Sequence, residues 1–169
     1  MNNIKKIISS NKVIKYSYVI IFSLLALLSL YKCIANSLVN SSDIPWTTAD
    51  LFWNNISPYE YYLNGNMDNF ILWGHEPNKF HLFYIILLPL NLFDFDQTKL
   101  IWCFLNLTFL LGLLLNIKKI FNLDNFNFFI IVTLFLISTP LRSSISEGQY
   151  SIFVFYFLSI FWVSENKYV

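Results

Sequence analysis

The sequence predicts an all-α, polytopic membrane protein, and three observations predict it. Hydrophobic residues make up 56% of the 169 and charged residues 12%, about half the charged share of a soluble domain. Apolar runs recur along the chain, separated by polar stretches. Lysines are placed unevenly: Lys5, Lys6, Lys12 and Lys15 stand before or at the start of the first run with no acid among them. Aromatic content is 20%, with 18 Phe and 10 Tyr; Phe suits lipid, while Tyr and Trp suit the membrane–water boundary. A net charge of +1 supplies no basic surface for nucleic acid. Cys33 and Cys103 both lie in apolar runs and read as packing residues rather than a disulfide pair.

Taken in order, the apolar runs predict about four spans, at 13–33, 99–117, 126–140 and 150–163, in a single membrane domain covering 1–169. The first run is long enough to cross, and the lysines before it place the N-terminus in the cytoplasm. Its rival is a cleavable signal peptide with Ala35 near the cleavage point. A long polar and aromatic outer loop follows, 36–98, carrying interfacial helices. Within it, Thr48 can cap a helix with Asp50 in its first turn, Pro58 ends that helix, and Asn64-Gly65 is a turn pair. The run Phe80–Phe93 is short for a crossing and carries Pro89, so it reads as interfacial or re-entrant. Pro140 stops the third span.

Charge decides the parity. If Phe80–Phe93 does not cross, Lys5, Lys6, Lys12, Lys15, Lys118, Lys119 and Lys167 all lie inside, and most acids, Asp43, Asp50 and Glu60 among them, lie outside. If it crosses, Lys118 and Lys119 move outside. The positive-inside rule favours the first arrangement.

The chemistry-bearing residues lie on that outer side. Asp43 follows the first span closely, where a carboxylate beside lipid can serve as a general base; the competing reading is a solvated loop residue or cap. Arg142 is the only arginine and suits a phosphate, with Gly148 permitting close backbone approach and Gln149 offering donor and acceptor; an interfacial anchor is the plainer reading. Asp94-Phe95-Asp96 resembles a metal–nucleotide-sugar signature, but Asp96 stands where the next helix needs its N-cap. His75, Glu76 and His81 lack zinc-site spacing, and His81 reads as structural or substrate-contacting.

"SSDIPW", "SPYEYYLNGN", "FHLFYIILLPLNLF", "TKLIWCFLNL" and "TPLRSSISEGQYSIF", in this order, resemble the start of a glycosyltransferase family 87 protein. The carrying positions are Asp43, Ser57-Pro58-Tyr59, Pro89-Leu90, Trp102 with Asn106, and Gly148-Gln149. The resemblance implies a C-type integral-membrane glycosyltransferase fold. It implies transfer of a hexosyl group, mannosyl among the candidates, from a polyprenyl-phosphate sugar to a lipid or glycan acceptor on the non-cytoplasmic face. The membrane would be a bacterial inner membrane. Asp43 would act as catalytic base, with Arg142, Gln149, Glu60, Tyr59, His81 and Lys79 contacting substrate. No cofactor and no metal are expected. The spacing from Asp43 to Pro58 is shorter than the family's, which keeps Asp50 as a substitute base. The family is also much longer, so this chain is expected to be an N-terminal portion, inactive alone. The alternative is a non-catalytic small membrane protein or subunit whose outer loop docks a partner.

Overall fold

In the computed structural model the chain is helical, with no strand among the described residues. The structure describes residues 2–41, 44, 46–66 and 81–165, with backbone alone for 2–15 and 81–83. Helix α1 is Asn2–Val39, α2 Trp46–Trp53, α3 Pro58–Leu63 and α4 His81–Leu87. A 3-10 segment, Leu88–Leu92, continues directly from α4. Then come α5, Phe95–Ile120; α6, Asn125–Ile137; α7, Thr139–Ser146; and α8, Ser151–Glu165.

Contacts fix the direction of each rod. The Lys99 ammonium near the start of α5 reaches the Val39 carbonyl at the end of α1, so the two helices run oppositely. Going up α1, Ser29 meets Leu136, Cys33 packs with Leu141 and Ile145, and Ser41 faces Gly148. The α6–α7 pair therefore climbs alongside α1. Phe109 meets Phe153 edge to face, Tyr156 overlies Gly112, and Asn116 bonds Ser159, so α8 descends in parallel with α5. The rods alternate in direction, and the Val39 end of the bundle carries α2, α3, α4 and the 3-10 segment.

Two helices are long and apolar enough to cross a bilayer, Tyr16–Val39 of α1 and all of α5, or three if α6 and α7 form one crossing bent by 60°. Helix length alone thus gives two or three crossings rather than the expected four. With 15 residues, α8 extends about 22 Å, short of the roughly 30 Å of hydrocarbon.

Several local expectations need correction. The first helix extends beyond the apolar run 13–33 at both ends, from Asn2 to Val39. The polar residues past Cys33 cost little because Ser41 Oγ donates back to the Ser37 carbonyl and lies against Ser37 Oγ. The helix expected to be capped by Thr48 starts at Trp46, and Thr48 is buried inside it. Pro58 does more than break that helix. It occupies the first turn of α3, where its missing N–H costs nothing, and Ser57 caps by accepting from Glu60 N. At α5 the cap is Asp94, accepting from Gln97 N at 2.8 Å. Asp96 sits in the first turn and pairs with Lys99. The chain from Leu141, expected as loop, is helical: the break falls at Ser138, and Pro140 begins α7 rather than ending structure. The interfacial run divides into α4 and the 3-10 segment, with Pro89 in the first turn of the latter.

Packing follows membrane rules, in which close approach and dispersion replace the hydrophobic drive between helices. Gly112 is the notch on α5: a Cβ there would collide with the Tyr156 ring. Phe109, Phe153 and Phe157 continue the seam. A second cluster, Ile44, Ala49, Tyr84, Leu87 and Trp102, fastens α2 and α4 to the top of α5. Cys33 and Cys103 are both free and buried.

Candidate functional site

The densest meeting of predicted site segments is at the Val39 end. Ser41 terminates α1 with φ 44°, a left-handed conformation that turns the chain off the helix. Ser41 and Ile44 are both buried. They flank Asp43, which lies outside the described residues. Ile44 and Ser41 pack on Gly148: a Cβ on that glycine would fall 2.6 Å from Ile44 Cγ1 and 3.3 Å from Ser41 Cβ.

Gly148 is fixed for a second reason. Its φ is +70°, and it closes α7: its N–H donates to the Ile145 carbonyl and that of Gln149 to the Ser144 carbonyl. This pair of bonds is a Schellman cap, whose left-handed position is normally glycine. The Gly-Gln dipeptide is therefore a helix terminator, and the absence of a side chain also lets the α1–α2 connection sit on it. From below, the indole N–H of Trp102 donates to the Gly148 carbonyl at 2.7 Å in a buried bond.

Three further features lie here, of which the sequence reading singles out only Asn106. Lys99 is nearly buried, with relative exposure of 9%. Its ammonium pairs with Asp96 at 2.7 Å, approaches the Val39 carbonyl at 3.4 Å and lies 5.1 Å from the Phe95 ring centroid. It places a cation at the C-terminus of α1, where the helix dipole is negative. Asn106, one turn below Trp102 on α5, has no exposure, and neither its Oδ1 nor its Nδ2 has a partner. Lys32 stands exposed on α1 within the apolar stretch. The Trp102–Asn106 spacing signals a shared helix face; nothing in the sequence signals the burial of Lys99, because Val39 is 60 positions away.

The remaining predicted residues spread over the same end. Arg142 is exposed on α7, below Gly148. The side-chain carbonyl of Gln149 accepts from Ser144 Oγ at 3.3 Å, and Ser144 in turn accepts from Ser151 Oγ at 2.9 Å. Ser138, Ser144 and Ser151 border a cleft of about 460 Å³ at the α6–α7 bend, otherwise apolar and lined by Leu113, Phe135 and Phe155 among others. Glu60, exposed, and Tyr59, half-buried, lie in the first turn of α3. That helix packs on α2, not beside Arg142 on α7, which packs on α1, α5 and α6. His81 opens α4, and Lys79 lies outside the described residues. Asp50 is half-buried and borders a cleft of about 280 Å³ with Trp53, Leu88, Pro89, Asn91 and Leu92. Among the described residues no three His, Cys, Asp or Glu side chains converge as a metal site would require.

No protein-family model, no curated protein and no solved structure matches this chain. The class that its helices define is a membrane protein, all-helical among the described residues, with two or three helices able to span.

Proposed function

We propose that the chain forms part of an integral-membrane glycosyltransferase. It would move a hexosyl group from a polyprenyl-phosphate sugar to a lipid or glycan acceptor at the non-cytoplasmic face. The observation that carries this reading is the packing of Ile44 and Ser41 on Gly148, with Trp102 bonded beneath. Segments far apart in sequence, each singled out for its chemistry, share one end of the bundle. In this reading the Val39 end is outside, both termini are cytoplasmic, and the four rods all cross, α8 with local thinning of the bilayer. Asp43 takes the proton of the acceptor hydroxyl as the new glycosidic bond forms. The bond from the anomeric carbon to the carrier phosphate breaks, and Arg142 meets the departing phosphate. Lys79, His81, Tyr59, Glu60 and Gln149 contact the sugar or acceptor.

The test is transfer from a radiolabelled polyprenyl-phosphate hexose in membranes expressing the protein from its genomic reading frame. Asp43→Asn keeps the shape and removes the base, so turnover should fall by a factor of about 10² to 10⁴, with donor binding retained. Asp50→Asn should be mild. The reverse pattern would transfer the role to Asp50, whose cleft position makes it the substitute. Full activity in both variants would reject the carboxylate mechanism.

A further inference from the structure

We propose that Lys32 of α1 and Arg142 of α7 form a two-cation site for the phosphate head of a membrane lipid, in the lateral groove between these helices. The proposal rests on the functional reading only in letting Arg142 meet a lipid phosphate; Lys32 and the groove are independent of it.

The level is set by one hydrogen bond. Ser29 Oγ donates to the Leu136 carbonyl at 2.6 Å, where α1 passes the end of α6. Lys32 follows Ser29 by three positions, so it stands one turn higher on the same face of α1. Arg142 N donates to the Ser138 carbonyl, so Arg142 also stands one turn above the bend. Their sequence neighbours share one buried cluster, Cys33 with Leu141 and Ile145. Helix phase gives the side. Leu30, on the other flank of α1, packs against the buried cluster that includes Leu110 and Leu114 of α5, while Lys32 is exposed, so the Lys32 side of α1 turns out of the bundle. On α7, Ser144 faces α8 through Ser151, and Arg142, two positions earlier, points away from it. In the proposed site both cations, exposed on two helices that pack together, border one outward groove.

Both are exposed, and neither has an ion-pair or hydrogen-bond partner among the described residues. Lys32 lies about 10 Å below Val39 by helical rise. A lysine at that depth extends its stem toward the headgroups, and Tyr31 beside it, 70% exposed, is an interfacial anchor. Two unpaired cations at one level of a lipid-facing groove are costly unless an anion meets them. A lipid phosphate does so, accepting a bidentate pair from the guanidinium and a point charge from the ammonium.

The experiment is native mass spectrometry of the purified chain released from nanodiscs, counting adducts of phosphatidylglycerol, of a polyprenyl monophosphate, and of phosphatidylcholine as the net-neutral control. Lys32→Gln and Arg142→Gln should each lower anionic-lipid occupancy about fivefold. The double variant should lose little more, and Lys32→Arg should retain binding. Lys119→Gln, at the opposite end of α5, should act independently of both. Coupled loss supports the proposal whichever anionic lipid binds tighter. A preference for phosphatidylglycerol also counts against the donor-phosphate role, leaving this site standing. Wild-type occupancy in Lys32→Gln overturns the proposal, even where Arg142→Gln is impaired.

Discussion

The indole of Trp102 and the carbonyl of Gly148 are joined by a buried 2.7 Å hydrogen bond. That bond ties the second turn of α5 to the cap of α7, and through Ile44 to the segment containing Asp43. Trp102→Phe keeps an aromatic ring but deletes the donor and part of the ring volume, leaving the Gly148 carbonyl without this partner. The expected loss is about 1–3 kcal/mol, read as a lower melting temperature in detergent. An unchanged transition would mean that the bond does not hold the two elements together.

Gly148→Ala meets two obstacles, the left-handed φ and Ile44. The cost should be about 2 kcal/mol or more. Ile44→Ala removes only the steric part, so the double variant should recover some stability, with a coupling energy of about 0.5–3 kcal/mol. Strict additivity would show that the contact carries no energy.

Asn106 makes the opposite prediction. Its amide is buried without a partner, and such a group costs about 1–3 kcal/mol. Asn106→Leu should therefore raise the melting temperature. A fall would show that the amide is bonded in the membrane-embedded protein.

Orientation can be checked on a single residue. The proposed orientation, with Val39 outside, puts Lys119 at the far end of α5 in the cytoplasm. Lys119→Cys, in a background lacking Cys33 and Cys103, should resist membrane-impermeant thiol reagents in intact cells and react after permeabilisation. Efficient labelling from outside would invert the parity.

The helices were legible wherever apolar runs were uninterrupted, because a bilayer accepts few other structures. Their ends were less so, and the reasons are specific. Asp94 and Asp96 are both plausible caps, yet only Asp94 has Gln97 three residues later, the capping-box spacing that selects it. Helix α7 carried a signal in Pro140 followed by Leu141 and Ile145 at an interval of four; reading proline as a stop hid it. The cluster at the Val39 end was legible as separate motifs but not as one place. Nothing local in "SSDIPW" says that Ile44 will rest on a glycine more than a hundred positions later. Lys99 and Lys32 were missed because their meaning depends on which helix passes beside them.

The parallel course of α5 and α8 has a consequence for biosynthesis. Asn116 reaches the membrane before its partner Ser159 exists, 43 residues ahead of it. At about 5–20 residues per second, the ribosome takes roughly 2–9 s to supply that partner. Throughout this interval the Gly112 notch and the Asn116 amide face lipid, translocon or an insertase rather than Tyr156 and Ser159. The α5–α8 seam cannot be inserted as a ready-made hairpin. It closes only after α6 and α7 have been threaded between its halves, which makes α8 the clasp of these four rods.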